Sequence, residues 1–368
     1  MRRAALIGAL SVLAAGVLGL VPHLGWSIRT GKLALLEVVL LATAAALIRP
    51  GWLRGALWLA LLGFVLHYNA RSAVTVWRLL MAALGIHVLA ASLTSRQLPS
   101  LLTGWRVITL INTGYMLLQL LGVDPLFVPV QPGASRIVGG LLDGGMLAGA
   151  YTAMTLPLFA PPRWRWALGP SVVAIVATQS LGAVVVMSVL LAWIIGWRWA
   201  LAGVAAVGVV FTLAIEPIGL KLREETRAGR FPVWRMGLGM MRHGPLSQKI
   251  LGVGPGQYAL QIKRYHARTQ YRPRAWMDWS RAHNEPLQAF QEFGLIGLLL
   301  WLACVGRWLR AGWEAWEPEV RVVLMVAVGW LLCSLYTFAA HTAGLAVVGI
   351  VAAGVLEGVR RRGDGAYA

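Results

Sequence analysis

Apolar runs of about 17–22 residues, the length that crosses a bilayer's hydrocarbon as a helix, recur almost from end to end of this chain. They lie near 4–22, 33–49, 53–69, 73–93, 101–123, 141–160, 199–217, 286–305, 322–340 and 344–359. A further stretch, 167–196, carries Thr178, Gln179 and Ser180 at its middle. It is long for one crossing and short for two, so it reads as two short, broken helices meeting at the polar point. With 58% hydrophobic and only 13% charged residues, the apolar surface exceeds what one soluble core hides; soluble domains carry roughly 25% charged residues. Lipid is therefore the solvent for most of it. The expectation is an all-α, polytopic helical membrane protein of about 12 spans with one long external loop. Tryptophans beside arginines at the run ends (Trp52, Trp164, Trp166, Trp197, Trp199, Trp308) fit the interfacial belt.

Arginines in the short loops set the orientation. With the N-terminus in the cytoplasm, inner loops hold Arg2, Arg3, Arg49, Arg54, Arg96, Arg163, Arg165, Arg198, Arg307, Arg310, Arg321 and Arg360–Arg362. Short outer loops hold only Arg29, Lys32, Arg71 and Arg136. This satisfies the positive-inside rule with both termini cytoplasmic, provided 167–196 crosses twice. The first run follows Arg2 and Arg3 like a signal peptide, but it continues through Pro22 and His23 without a clear small-residue cleavage site. An uncleaved first span is expected. The chain then divides into an N-terminal bundle (1–123), middle spans with a broken helix pair near 178–181 (124–217), a long external loop (218–285), C-terminal helices (286–359) and a cytoplasmic tail (360–368).

The formal charge of +19 lies largely in these loops, where topology accounts for it, and no nucleic-acid-binding pattern is present. Cys304 and Cys333 each sit in an apolar run and read as small buried hydrophobes, not as a disulfide or metal pair. Residues 218–282 are the one long hydrophilic stretch, with thirteen Lys and Arg against three acids. A basic outer loop beside a bilayer suits an anionic headgroup or a phosphorylated lipid.

That loop ends in SRAHNEPLQAFQEFGLIGLLLWL. Arg281, His283, Asn284 and Glu285 stand just before a membrane-entering helix, with Pro286 in its first turn. Glu285 and Glu292 share a face seven residues apart, which puts Glu292 one to two turns below the outer interface. An ionisable residue at such depth is a functional candidate. A histidine beside a carboxylate suits a general base at neutral pH; equally, His283 and Asn284 can simply cap the helix. Upstream, Arg230 and Arg235 lead an apolar-periodic run, and Gly252, Gly254 and Gly256 form a tight backbone segment. Without a GK[ST] or a preceding strand this is a turn between two short helices, not a nucleotide loop.

Together these segments resemble the O-antigen ligase and polymerase superfamily. RAHNEPLQAFQEFGLIG is similar to its His-Asn, Glu-x-Gly-hydrophobic-Gly signature, and GRFPVW with GVGPGQY to the Arg-rich loop before it. SRIVGGLLDGGMLAGAYTAMTLPLF resembles the Arg-led segment entering a middle span, and TQSLGAVVVMSVLLAW the break between two short helices. The resemblance runs over roughly 135–350.

It implies a GT-C-like helical glycosyltransferase in the bacterial cytoplasmic (inner) membrane with its active site facing the periplasm. The donor is a polyprenyl diphosphate-linked glycan and the acceptor a hydroxyl on lipid A core, a glycan or a protein. The resemblance implies no metal and no cofactor. His283 matches the essential histidine, Arg230 a diphosphate-binding arginine and Arg136 the arginine opening the earlier segment. Many members carry Arg where this chain has Leu181, so Arg136, Arg235 or Arg281 would replace it. Asn284, Glu285 and Glu292 would support the site.

The chemistry suits those residues: a sugar diphosphate is already activated, a base takes the acceptor's proton, and guanidinium groups stabilise the departing diphosphate. A polysaccharide polymerase or a protein O-oligosaccharyltransferase uses the same parts. A transporter is the reading from another class, resting on His67, Asn69, His87, Asn112 and Gln119 inside spans and on the broken helix. A structural scaffold leaves Glu292 unexplained.

Overall fold

The computed structural model describes residues 7, 9–11, 86–88, 90–123, 140–142, 145–198, 230–254, 257–269, 282–315, 317–337, 339 and 343–365. The expected spans 33–49, 53–69 and 199–217 lie outside the described residues, as do most of 4–22 and 73–93. Every regular element among the described residues is helical. In chain order these are α1 (Leu98–Leu120), α2 (Gly145–Thr155), α3 (Leu168–Ala177), α4 (Leu181–Ile195), α5 (Arg230–His243), α6 (Leu246–Leu251), α7 (Tyr258–Thr269), α8 (Glu285–Glu314), α9 (Pro318–Ser334) and α10 (Ala343–Gly365). Among the described residues one helix, α8, has the length and apolar content of a membrane span; α4 and the stretch Gly145–Phe159 are shorter apolar helices.

The chain folds into two compact units, one of residues 1–201, 308–333 and 341–368 and the other of 202–307 and 334–340. In the first, Pro99 opens α1, where a missing amide is harmless. Its interior is tied by polar groups that find partners: Arg106 Nε donates to the Leu158 carbonyl (2.6 Å), Thr109 and Tyr151 pair through their hydroxyls (3.0 Å), and Asn112 Oδ1 accepts from Leu141 N–H (3.0 Å). Asn112 is thus a packing residue, and His87 packs at 6.4 Å from the Trp308 ring. The polar triplet separates α3 from α4: Thr178 Oγ1 bonds back to the Ile175 carbonyl, Gln179 turns left-handed (φ 55°), and Ser180 caps α4 by accepting from Ala183 N–H. Short polar side chains compete with the helix ladder in this way. α2 packs against both halves, close enough that a Cβ on Gly149 would meet Thr178 Oγ1.

Large apolar side chains face outward along α8 after Gly294, including Leu295, Ile296, Leu299, Leu300 and Leu302. Outward apolar residues are what a lipid-facing helix needs. Cys333 is buried, with its thiol toward the Ala150 carbonyl, whereas Cys304 is exposed on the outward side of α8 and corrects the expectation of two buried cysteines.

The second unit has a small core of its own. Met236, Met240 and Met241 from α5, Tyr258 and Ile262 from α7, and Ala282 pack together, with Leu287 and Phe290 of α8 against them.

Candidate active site

α8 is broken at Gly294, whose backbone (φ 67°, ψ −164°) is non-helical. A break orphans the carbonyls of the preceding turn. Here Val253 N–H donates to the Gln291 carbonyl (2.9 Å) and Gly254 N–H to the Glu292 carbonyl (3.0 Å). The turn between α6 and α7 therefore caps the first half of α8, and its glycines exist for close approach. A Cβ on Gly252 would fall on the Glu292 backbone, and one on Gly294 would fall on the Ile250 carbonyl. The sequence identified Gly252 and Gly254 as a turn, but not this second role, because the two motifs lie some forty residues apart.

His283 stands at the entry to that half-helix in a left-handed conformation, φ 52°. A non-glycine residue held there is strained by about 1 kcal/mol and is held in place by its surroundings. The preceding residue supplies the hold. Ala282 is fully buried; its carbonyl accepts from Trp234 Nε1 (2.8 Å) and its N–H donates to Gln288 Oε1 (3.2 Å). The following residue supplies the cap: Asn284 Oδ1 accepts from Leu287 N–H (2.9 Å), and Asn284 Nδ2 donates to the Leu335 carbonyl (2.9 Å). Capping is thus the work of Asn284, and His283 precedes the cap.

On the inner face of α8 the polar residues form a buried stripe, with Glu285, Gln288 and Glu292 at i, i+3 and i+7 and Gln291 beside them. Glu285 occupies the first turn, where a carboxylate complements the helix dipole. Gln288 Nε2 donates to Glu292 Oε1 (3.2 Å), so one glutamine links the Glu292 carboxylate to the Ala282 amide. Glu292 lies before the break, among the helices of the second unit. Next to it the Tyr258 phenol is pushed well above its ordinary range, by burial first and by the Glu292 charge second. The amide of Gln291 packs on Gly237, and among the described residues neither its nitrogen nor its oxygen meets a hydrogen-bond partner.

Arg230 begins α5 half-buried, its guanidinium 5.8 Å from the centre of the Tyr336 ring. One helical turn on, Trp234 makes the bond to Ala282, so the α5 segment carrying Arg230 is tied to the residue preceding His283. Arg235 is on the exposed side of α5. Arg136 and Arg281 lie outside the described residues. Among the described residues no cluster of three His, Cys, Asp or Glu side chains could hold a metal ion. The second unit therefore contains His283, Asn284, Glu285, Glu292, Arg230 and Arg235. Trp234, Gln288, Gln291 and Tyr258 are the residues that sequence reasoning missed. The polar i, i+3, i+7 spacing on an apolar helix was a signal for Gln288; nothing local signalled the Trp234 bond.

Residues 166–302 match the family model for Wzy_C, O-antigen ligase. Over this segment, fewer than half of its residues, the chain is similar to the O-antigen ligase family. The match begins at Trp166, just ahead of α3, takes in α4 to α7 and ends inside α8, so it contains Arg230, His283, the glycine turn and the α8 break. The O-antigen ligase family is one of bacterial membrane proteins with glycosyltransferase-like activity. No curated protein matches the chain.

Proposed function

We propose that this protein is a metal-independent membrane glycosyltransferase. It moves a glycan from a polyprenyl diphosphate carrier to an acceptor hydroxyl at the outer face of the cytoplasmic membrane, as an O-antigen ligase does. The observation that carries this reading is the Trp234–Ala282 bond, which ties the helix bearing Arg230 to the strained turn bearing His283.

In the transfer the acceptor oxygen bonds to the sugar C1 while the bond from C1 to the diphosphate oxygen breaks, and the acceptor's proton passes to the His283 imidazole. Negative charge collects on the departing lipid diphosphate. A guanidinium is permanently charged and presents a fork of donors, so Arg230 stabilises that charge without reorganising. Arg136 and Arg281 are further candidates for the diphosphate in place of the family's arginine at Leu181. Glu285 and Glu292 act from behind: one favours the helix start, the other holds Gln288 and through it Ala282.

The test is transfer by the purified protein from a polyprenyl diphosphate-linked glycan. His283→Ala is expected to lower turnover by roughly two to four orders of magnitude, with donor affinity nearly unchanged. Native activity should fall as acid protonates the imidazole, and the variant should lose that dependence. Full activity in His283→Ala, or loss of donor binding together with turnover, would end the base assignment.

A further inference from the structure

The exposed face of α5 mixes large apolar and cationic side chains. Its outward residues Phe231, Arg235, Leu238 and Arg242 fall at i, i+4, i+7 and i+11, one stripe along the helix. Phe231 and Leu238 are 53% and 52% exposed, so large apolar side chains alternate there with arginines. α6 continues the pattern: none of its six residues is buried, and Leu246 and Leu251 are 71% and 64% exposed. From 230 to 269 the chain has seven Lys and Arg and no acid.

Position supplies the second argument. The end of α6 meets the break in α8, where the Ile250 carbonyl and Gly252 N crowd Gly294. Immediately beyond Gly294, α8 turns Leu295, Ile296, Leu299 and Leu300 outward, the start of its exposed apolar stretch. The end of α6, with outward Leu251, therefore stands where the outward apolar stretch of α8 begins.

We infer that α5 and α6 together form a membrane-interface platform. Phe231, Leu238, Leu246, Ile250 and Leu251 dip into the outer leaflet, and Arg235, Arg242 and Lys249 bind the phosphates of anionic lipids. The chemistry is that of an interfacial helix: apolar residues reach the acyl boundary while flexible cationic side chains extend to the headgroups. This assigns Arg235 to the bilayer surface, apart from the Arg230–His283 site. It holds whether or not the protein transfers sugar.

The test uses the full chain in nanodiscs of phosphatidylcholine, with and without phosphatidylglycerol. Cys304→Ser and Cys333→Ala remove the native thiols, and a nitroxide is then attached to Leu238→Cys, Leu246→Cys or Leu251→Cys, with Glu317→Cys as the water-exposed control. Power saturation compares collisions with oxygen, which concentrates in the bilayer, against collisions with a water-soluble nickel chelate. All three sites are expected to favour oxygen several-fold over the control, more strongly with phosphatidylglycerol. Arg235→Gln with Arg242→Gln should remove the phosphatidylglycerol increment. Nickel accessibility equal to the control in both lipids would overturn the platform, and equal depth in both would overturn the anionic-lipid assignment. Dipolar broadening between molecules without oxygen preference would assign the face to a second copy and overturn it as well. None of these readings depends on glycan transfer.

Discussion

Trp234→Phe is the most informative single change, because it removes one N–H and little volume. The lost partner is the carbonyl of fully buried Ala282, the residue before left-handed His283. Leaving a buried carbonyl unpaired costs about 1–3 kcal/mol, comparable to the strain that the turn stores. If the turn relaxes, that energy appears as a smaller population of correctly placed imidazole. At 1.36 kcal/mol per decade, 1–3 kcal/mol corresponds to a fall in turnover of about 5- to 150-fold. The affinity for donor should change little, since Arg230 keeps its place on α5. The assay is single-turnover glycan transfer beside an independent donor-binding measurement, with the helical melting curve as a folding control. Wild-type turnover in a folded Trp234→Phe protein would refute the argument that this bond positions the histidine. Equal losses in donor affinity and turnover would refute it too, by placing Trp234 in donor binding.

Three further outcomes are expected. Arg230→Lys should recover only part of the activity lost in Arg230→Ala, since an ammonium replaces a planar fork with a point charge; full recovery in the transfer assay would argue against bidentate diphosphate binding. Gly252→Ala should destabilise the second unit by more than the roughly 1 kcal/mol of an ordinary left-handed glycine replacement, because the new Cβ lands on the Glu292 backbone; limited proteolysis within 230–269 would report it. The buried Tyr258 phenol has a folded pKa above its unfolded value near 10. Its contribution to stability is therefore complete below about pH 10 and is lost as the pH rises through the folded pKa. Tyr258→Phe should flatten that alkaline limb in melting curves taken from neutral to high pH, and an unchanged limb would count against the burial argument.

The helical character of the chain was legible from its apolar runs, because in lipid an isolated strand cannot satisfy its backbone. That His283, Asn284, Glu285 and Glu292 lie close together was legible because they are contiguous or share one helix register. Arg230 was legible as the start of an apolar-periodic run, and its diphosphate role is implied by the resemblance alone. What could not be read were contacts between distant segments: Trp234 with Ala282, Gly252 with the Glu292 backbone, Asn284 with Leu335. Each joins residues about forty or more positions apart, and nothing in local spacing marks the partner. Glu292, a functional candidate by its depth, has a local partner that the spacing did signal. Gln288, one turn away, already spans the distance between it and the Ala282 amide.

The second unit closes on itself through residues made very late. Its core needs Ala282, Leu287 and Phe290, its glycine turn needs the carbonyls of 291 and 292, and Asn284 and Arg230 find Leu335 and Tyr336 only after α9 has been synthesised. A chain emerging from the ribosome N-terminus first therefore makes α5, α6 and α7 before the residues on which they close. Closure of this unit is deferred until the last quarter of the chain has been made. A product terminated before Ala282 would carry Trp234 and Arg230 without the Ala282 carbonyl and the Tyr336 ring that they meet.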